Sequence, residues 1–193
     1  GTARNGPAAC EYGGDKGIFG YGRSGSYLSM SNLVSNAGVV ATDVTGVGTA
    51  RGYLAACSYG DDKGIFGYGN AASAVSSLTN LVSNAGVIAT DVTGVGTARG
   101  ELGACEYGGD KGIFGYGSGG VSMTNLVSNV GVVGTDVTGV GTGREAITAC
   151  SYGYDKGIFG YGSGYVSLTN LVSNAGVVAT DTTGVGTARG YLA

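Results

Sequence analysis

The sequence predicts an all-β fold, a β-propeller built from four blades of four strands each, on three observations. The octapeptide DKGIFGYG occurs unchanged at 15–22, 62–69, 110–117 and 155–162. The tetrad GTAR, once written GTGR, opens at Gly1, Gly48, Gly96, Gly141 and Gly186, so the chain is a tandem array with intervals of 47, 48, 45 and 45 residues. Between these markers lie short apolar runs split by turn residues, with no extended helical period. Four short strands in a unit of about 40–50 residues form the pattern of a propeller blade.

The repeats run over 1–47, 48–95, 96–140 and 141–185, and 186–193 starts a further one. In the second repeat, strands are expected at 54–59, 63–68, 77–83 and 86–92. The GDD turn at 60–62 has a length suited to a hairpin. Strict alternation along KGIFGY puts Gly64, Phe66 and Tyr68 on one face and Ile65, Gly67 and the stem of Lys63 on the other. A strand apolar on both faces needs cover on both, which neighbouring blades supply. The alternative is a parallel β-solenoid, also glycine-rich and repetitive. Its coils are usually shorter than these units, and the tight GDDK turn favours antiparallel pairing.

Composition narrows the function. Apolar residues make up 42 % of the 193 and charged residues 12 %, the balance of a packed chain rather than a disordered one. Its 42 glycines recur at fixed places among Val, Ile, Phe and Tyr, as turns and close-packed strands do. With a formal net charge of −3 and no cluster of Lys or Arg, neither a phosphate-tracking groove nor a nucleic-acid partner is expected. No apolar run reaches the roughly 18–20 residues of a membrane helix, and membrane insertion is not expected. The chain starts at Gly1 without Met and shows no signal-peptide pattern. Both ends fall within the same repeat element, which leads to the expectation of a processed or partial chain, or of one continued by more repeats.

An Arg ahead of a small apolar strand, a turn, and a strand ending in glycine-rich aromatic sequence, with a later Asp before the next Arg, recur here as in Arg51, Asp91 and Arg99. This pattern is similar to the kelch-type blade. The double glycine of that family stands here as GYG, and its Trp has no counterpart because the chain has none. The runs DKGIFGYG and NLVSNAGVVATDVTGVGTAR also resemble repeats of tailed-phage virion and fibre proteins and of bacterial surface proteins. The resemblance implies propeller blades and an extracellular or virion location.

Candidate chemistry is sparse. Cys10, Cys57, Cys105 and Cys150 sit at the same place in each repeat. A Cys₄ zinc site is conceivable, but no C-x₂₋₄-C pair occurs, and disulfides need Cα atoms within about 7 Å. The plainer reading is a small buried hydrophobe. The Asp-Lys pair, as in Asp110-Lys111, belongs to a hairpin turn rather than to acid–base chemistry. Arg51, Arg99, Arg144 and Arg189, with Asp43, Asp91, Asp136 and Asp181, invite a network linking blades, the alternative being an anion site made by a ring of Arg. No D-x-[DN]-x-[DN]-G calcium loop is present, and only Asp61 and Asp62 are adjacent. With no histidine, the commonest general base and the usual copper and catalytic-zinc ligand are missing. No catalytic residue, metal or cofactor is expected.

The repeats differ mainly between GYG and the NLVSN strand, where they read RSGSYLSMS, NAASAVSSLT, SGGVSMT and SGYVSLT. They differ again after GTAR, as NGPA, GYLA, GELG and EAIT. The first set, rich in Ser, Gly and Tyr, offers adaptable polar contacts and rigid aromatic area. Its candidate binding residues are Arg23, Ser24, Tyr27, Asn70, Ser73, Ser118, Ser163 and Tyr165. The expected function is a non-enzymatic structural or adhesion module that meets a protein or glycan partner. The alternative is a multivalent lectin with one site per blade, and an enzyme built on the propeller is a remote third. End-to-end or ring-completing self-association is a further expectation.

Overall fold

The computed structural model describes residues 1–192. Every regular element among them is a strand. The first repeat contains β1 (Ala8–Tyr12), β2 (Lys16–Gly20), a two-rung ribbon of β3 (Arg23–Ser24) and β4 (Ser26–Tyr27), and β5 (Ser31–Val34). The second contains β6 (Ala55–Tyr59), β7 (Lys63–Gly67) and β8 (Thr79–Val82). The third contains β9 (Gly103–Tyr107), β10 (Lys111–Gly117) and β11 (Val121–Val127). The fourth contains β12 (Thr148–Tyr152), β13 (Lys156–Gly160) and β14 (Thr169–Val172). Each repeat thus makes one antiparallel three-stranded sheet, and the octapeptide supplies the middle strand every time.

The hairpin from first to second strand follows from its turn residues. Tyr59 pairs with Lys63, and Gly60 and Asp61 take φ of 59° and 67°. That left-handed region is open to glycine and tolerated by Asp. Asp62 locks the turn, accepting from Lys63 Nζ at 2.7 Å and from Asn84 Nδ2 at 3.0 Å.

The expected four-stranded blades do not form. The fourth segment of each repeat meets the third strand at isolated bridges, Thr79–Val92 and Val82–Ile88 in the second repeat. Between them the buried side chain of Asn80 donates to the carbonyl of Ala89 (3.1 Å) and to Asp91 (2.9 Å). A side-chain amide stands where a ladder rung would be, so the ladder is interrupted and three strands remain.

The sheets are stacked in chain order, with their first strands side by side. Three apolar layers fill the spaces between them: Ile18, Tyr21, Leu54 and Phe66 between the first and second, Ile65, Tyr68, Leu102 and Phe114 between the second and third, and Ile113, Tyr116, Ile147 and Phe159 between the third and fourth. Alternation along the middle strand holds as far as Gly67 and fails at Tyr68. Tyr68 has φ 64°, which turns its ring away from the Phe66 face and onto Phe114 of the following sheet, with ring centroids 5.3 Å apart. Tyr21 and Tyr116 do the same to Phe66 and Phe159.

The four sheets do not close on themselves. Phe19, the counterpart of the fully buried Phe66, Phe114 and Phe159, is 42 % exposed.

Candidate functional site

The two stretches in which the repeats differ are far apart in each repeat and joined in space. Asn5 and Arg23 exchange backbone hydrogen bonds at 3.0 and 2.8 Å, and Gly52 and Asn70 do so at 2.9 and 2.8 Å. In the third repeat Ser118 N–H donates to Gly100 (2.8 Å), and Gly100 N–H donates to Ser118 Oγ (3.0 Å). In the fourth, Ser163 N–H donates to Glu145 (2.7 Å). Invariant residues hold this seam in place, since Gly22, Gly69 and Gly117 each donate an N–H to the carbonyl of the next repeat's Arg51, Arg99 or Arg144.

Four of the candidate binding residues, Arg23, Asn70, Ser118 and Ser163, are therefore structural equivalents. Each is the first residue after GYG and is engaged through its backbone. The Oδ1 of Asn70 is buried without a hydrogen-bond partner among the described residues. Ser24 and Ser73 are exposed. Tyr27 sits opposite Arg23 on the small ribbon, whose guanidinium is 5.8 Å from the ring centroid. Tyr165 is 70 % exposed, at a turn position with φ 52°.

Sequence reasoning gave less weight to the stretch after GTAR, and it is this stretch that builds a cavity of about 610 Å³. The wall is drawn from every repeat: Pro7 and Phe19, Tyr53 and Leu54, Glu101 and Leu102, Ala146 and Ile147, and Tyr191 and Leu192. Leu54, Leu102 and Ile147 are buried, so the wall is apolar at its base. Gly6, Tyr53, Glu101, Ala146 and Tyr191 all have φ between 49° and 57°. A rung of backbone bonds links the first three, Tyr53 N–H to Gly6 O and Glu101 N–H to Tyr53 O, both at 2.8 Å. Burial, with Glu145 nearby, holds the Glu101 carboxyl above its ordinary range. The signal for this cavity was present in the sequence as the changing NGPA, GYLA, GELG and EAIT.

A second cavity of about 300 Å³ is lined by the four cysteines with Glu11, Ser58, Glu106 and Ser151. All four cysteines are free. Their positions are explained by packing: a Cβ on Gly64 would lie 2.5 Å from the Sγ of Cys10, and one on Gly112 would lie 2.6 Å from that of Cys57. The thiols of Cys10, Cys57 and Cys105 each fill the space of an absent side chain on the next sheet, whereas Cys150 is exposed. Burial pushes the thiols of Cys10 and Cys105 up to about 12 and raises that of Cys57 well above its ordinary value, away from the thiolate a metal or nucleophile requires. Among the described residues, no three His, Cys, Asp or Glu side chains gather as a metal-binding set.

The Arg–Asp residues form one network per repeat. Arg99 is 1 % exposed, with its guanidinium 4.5 Å over the Tyr68 ring of the preceding sheet. It donates to the carbonyls of Tyr116 (2.7 Å) and Thr97 (2.9 Å) and to Asn125 Oδ1 (2.6 Å). Asn125 donates in turn to Asp136 (2.9 Å), which also accepts from the backbone and hydroxyl of Thr97. Arg51 and Arg144 repeat the pattern on Asn80 and Asn170. The Asp partner lies in the same repeat as the Arg, and the Arg links sheets by stacking backward while hydrogen-bonding forward.

No protein-family model matches the chain, and neither does any curated protein.

Proposed function

We propose that the chain is a non-catalytic, propeller-type module that presents a variable face to a protein or glycan partner, in an extracellular or virion setting. In this reading each three-stranded sheet is a blade whose fourth segment is pinned by the Asn amide and isolated bridges rather than by a ladder. Support for the arrangement comes from the cavity, to which every repeat contributes in order.

The observation that carries the reading is the seam between the variable stretches. Residues free to differ between repeats are hydrogen-bonded into one edge around the mouth of the apolar cavity, while invariant residues are buried between sheets. Tyr53 and Tyr191 supply amphipathic rings there, and Glu101 a carboxylate. Rings of this kind suit stacking on sugars or on apolar side chains of a protein. The charged side chains argue against catalysis: each Arg–Asn–Asp set and each Asp–Lys turn is occupied in structural bonds, and no imidazole is available as a base.

Four equivalent lectin sites fit less well, because the aromatic and charged positions differ from repeat to repeat: Tyr53 is replaced by Glu101 and then by Ala146. A single composite site per chain is the expectation. Glycan-array screening followed by titration calorimetry tests it. The expected result is one site per chain, weakened by Tyr53→Asn, a change that the left-handed backbone accepts. Four equal sites would support the lectin reading, and turnover dependent on a named side chain would overturn the non-catalytic one.

A further inference from the structure

The stack of sheets repeats one joint three times. In each, a Phe ring of the following sheet occupies the space of a missing side chain: a Cβ on Gly20 or Gly67 would stand 2.6 Å from the Cζ of Phe66 or Phe114, and one on Gly115 would stand 2.7 Å from that of Phe159. A thiol points the other way, from Cys10, Cys57 and Cys105 onto Gly64, Gly112 and Gly157. Lower on the joint, Tyr12 and Leu33 close on Gly86, Tyr59 and Leu81 on Gly131, and Tyr107 and Leu126 on Gly176. A backbone bond ties each hairpin turn to the next, as Gly13 N–H does to Asp62 O at 2.7 Å.

The outer faces of the first and fourth sheets carry the two halves of that joint, unmatched. The first sheet offers Phe19, 42 % exposed, together with Gly17 and Gly38, whose missing side chains meet no thiol and no ring. The fourth sheet offers an exposed Cys150, with Tyr152 and Leu171 exposed at 41 % and 42 %, and Gly160, where a Cβ would meet only Thr169 Cγ2. The arginine contacts are divided in the same way. Among the described residues, Arg4 reaches Asn32 at 2.6 Å but has no stacked tyrosine, and its buried Nε has no partner. Arg189 lies 4.9 Å over the Tyr161 ring but has no asparagine. Each interior arginine has both.

We propose that the first sheet of one chain docks onto the fourth sheet of a second copy, head to tail, rebuilding this joint between molecules. Phe19 seats on Gly160 and against Tyr161, Cys150 meets Gly17, and Tyr152 with Leu171 closes on Gly38. Only one arginine tetrad fits at the joint, so either 1–4 of the incoming chain or 186–189 of the receiving chain is displaced. The contact is heterologous, and it propagates as a ring or a filament according to whether the rotation closes. It shares Phe19 with the wall of the apolar cavity but uses no residue of the variable stretches, and sedimentation reads it without any ligand.

Sedimentation velocity on the 193-residue chain and on two variants tests the proposal. Wild type is expected to associate with concentration. Phe19→Ser removes the knob and Gly160→Val fills its seat, and each is expected to weaken self-association by on the order of tenfold or more. Mixed together, the two variants still share one intact pair of faces, Gly160 on the first and Phe19 on the second. They are expected to form a heterodimer and stop there, with Cys150 of the Phe19→Ser chain protected from maleimide in the mixture and reactive alone. Circular dichroism confirms that each variant is folded; Phe19 is exposed, and a Cβ at the buried Gly160 would meet only Thr169 Cγ2, at 3.4 Å. A monomeric wild type, undiminished association in both folded variants, or a failure of the mixture to pair would each overturn the proposal.

Discussion

Gly20 and Phe66 share one space: the ring of Phe66 fills the volume that any side chain at Gly20 would need, with Cζ 2.6 Å from the Cβ position. The same pairing joins Gly67 with Phe114 and Gly115 with Phe159, and it ends at Gly160. Local sequence is identical at all four glycines, so their response to one methyl group isolates the tertiary contribution.

Gly67→Ala and Gly115→Ala force a buried ring out of place and are expected to cost about 1–3 kcal/mol, the usual range for overpacking. Gly160→Ala is expected to stay within about 0.5 kcal/mol in the unassociated chain, as a position free of such contact does. Phe114→Ala, which leaves a cavity, is expected to lose about 3–5 kcal/mol, whereas Phe19→Ala is expected to lose far less. Urea midpoints of the dilute protein measure all five, and equal losses at Gly67 and Gly160 would refute the account.

Asn125 is fully buried and joins the Arg99 guanidinium to the Asp136 carboxylate. Replacing it with Ala leaves the guanidinium one bond short in a buried site, with an expected cost of about 1–3 kcal/mol. Arg99→Lys keeps the charge but loses the planar fork that serves three acceptors at once. Thermal denaturation is expected to show a lowered midpoint for both, and an unchanged midpoint for Arg99→Lys would mean that charge alone suffices.

Acid is expected to unfold the protein through its aspartates. The hydrogen bonds from Thr142 and Asn170, with Arg144 behind them, lower the Asp181 carboxyl to about 2. Asp43, held by Asn32 and Thr2, is lowered too, and so is Asp62, held by Lys63 and Asn84. A carboxyl lowered by folding contributes stability above its unfolded value, and that contribution is lost as pH falls through the folded one. For Asp181 the window runs from the ordinary 3.8 down to about 2. Denaturant midpoints against pH are expected to fall across this window, and Asp181→Asn is expected to lower stability at neutral pH and flatten the acid limb.

The four cysteines occupy the same repeat position, each between Ala and a Glu-Tyr or Ser-Tyr pair, and are expected to differ in reactivity. Cys57 and Cys105 are buried between sheets, whereas Cys150 is exposed. In dilute unassociated protein at pH 8, a thiol reagent is expected to modify Cys150 quickly and Cys57 and Cys105 only on unfolding. Peptide mapping by mass spectrometry reads the sites, and fast modification of Cys57 in folded protein would contradict the packing described.

Much of the fold was legible in the repeats. The hairpin at 60–62 and the two-sided burial of KGIFG follow from turn chemistry and from alternation, both local. Tyr68 was misplaced because alternation assumes an extended backbone, and its positive φ reverses the ring after Gly67. The fourth strand was overcounted because the sequence does not show that Asn80 spends its side chain on the carbonyl of Ala89. Of the candidate site, the loops after GYG were legible as variable sequence. That they are hydrogen-bonded to the equally variable residues after GTAR was not, because the partners are about 18 residues apart and nothing in either stretch specifies the other.

The sequence by itself determined the repeat, the antiparallel hairpin and the all-β character, since each rests on interactions within a few residues. Only the tertiary structure decided which glycine receives which ring or thiol, and that the outer faces of the first and fourth sheets carry unmatched halves of the joint. Those outcomes depend on contacts between successive repeats, about 45 residues apart, where identical octapeptides acquire different surroundings: Phe66 is wholly buried and Phe19 is not.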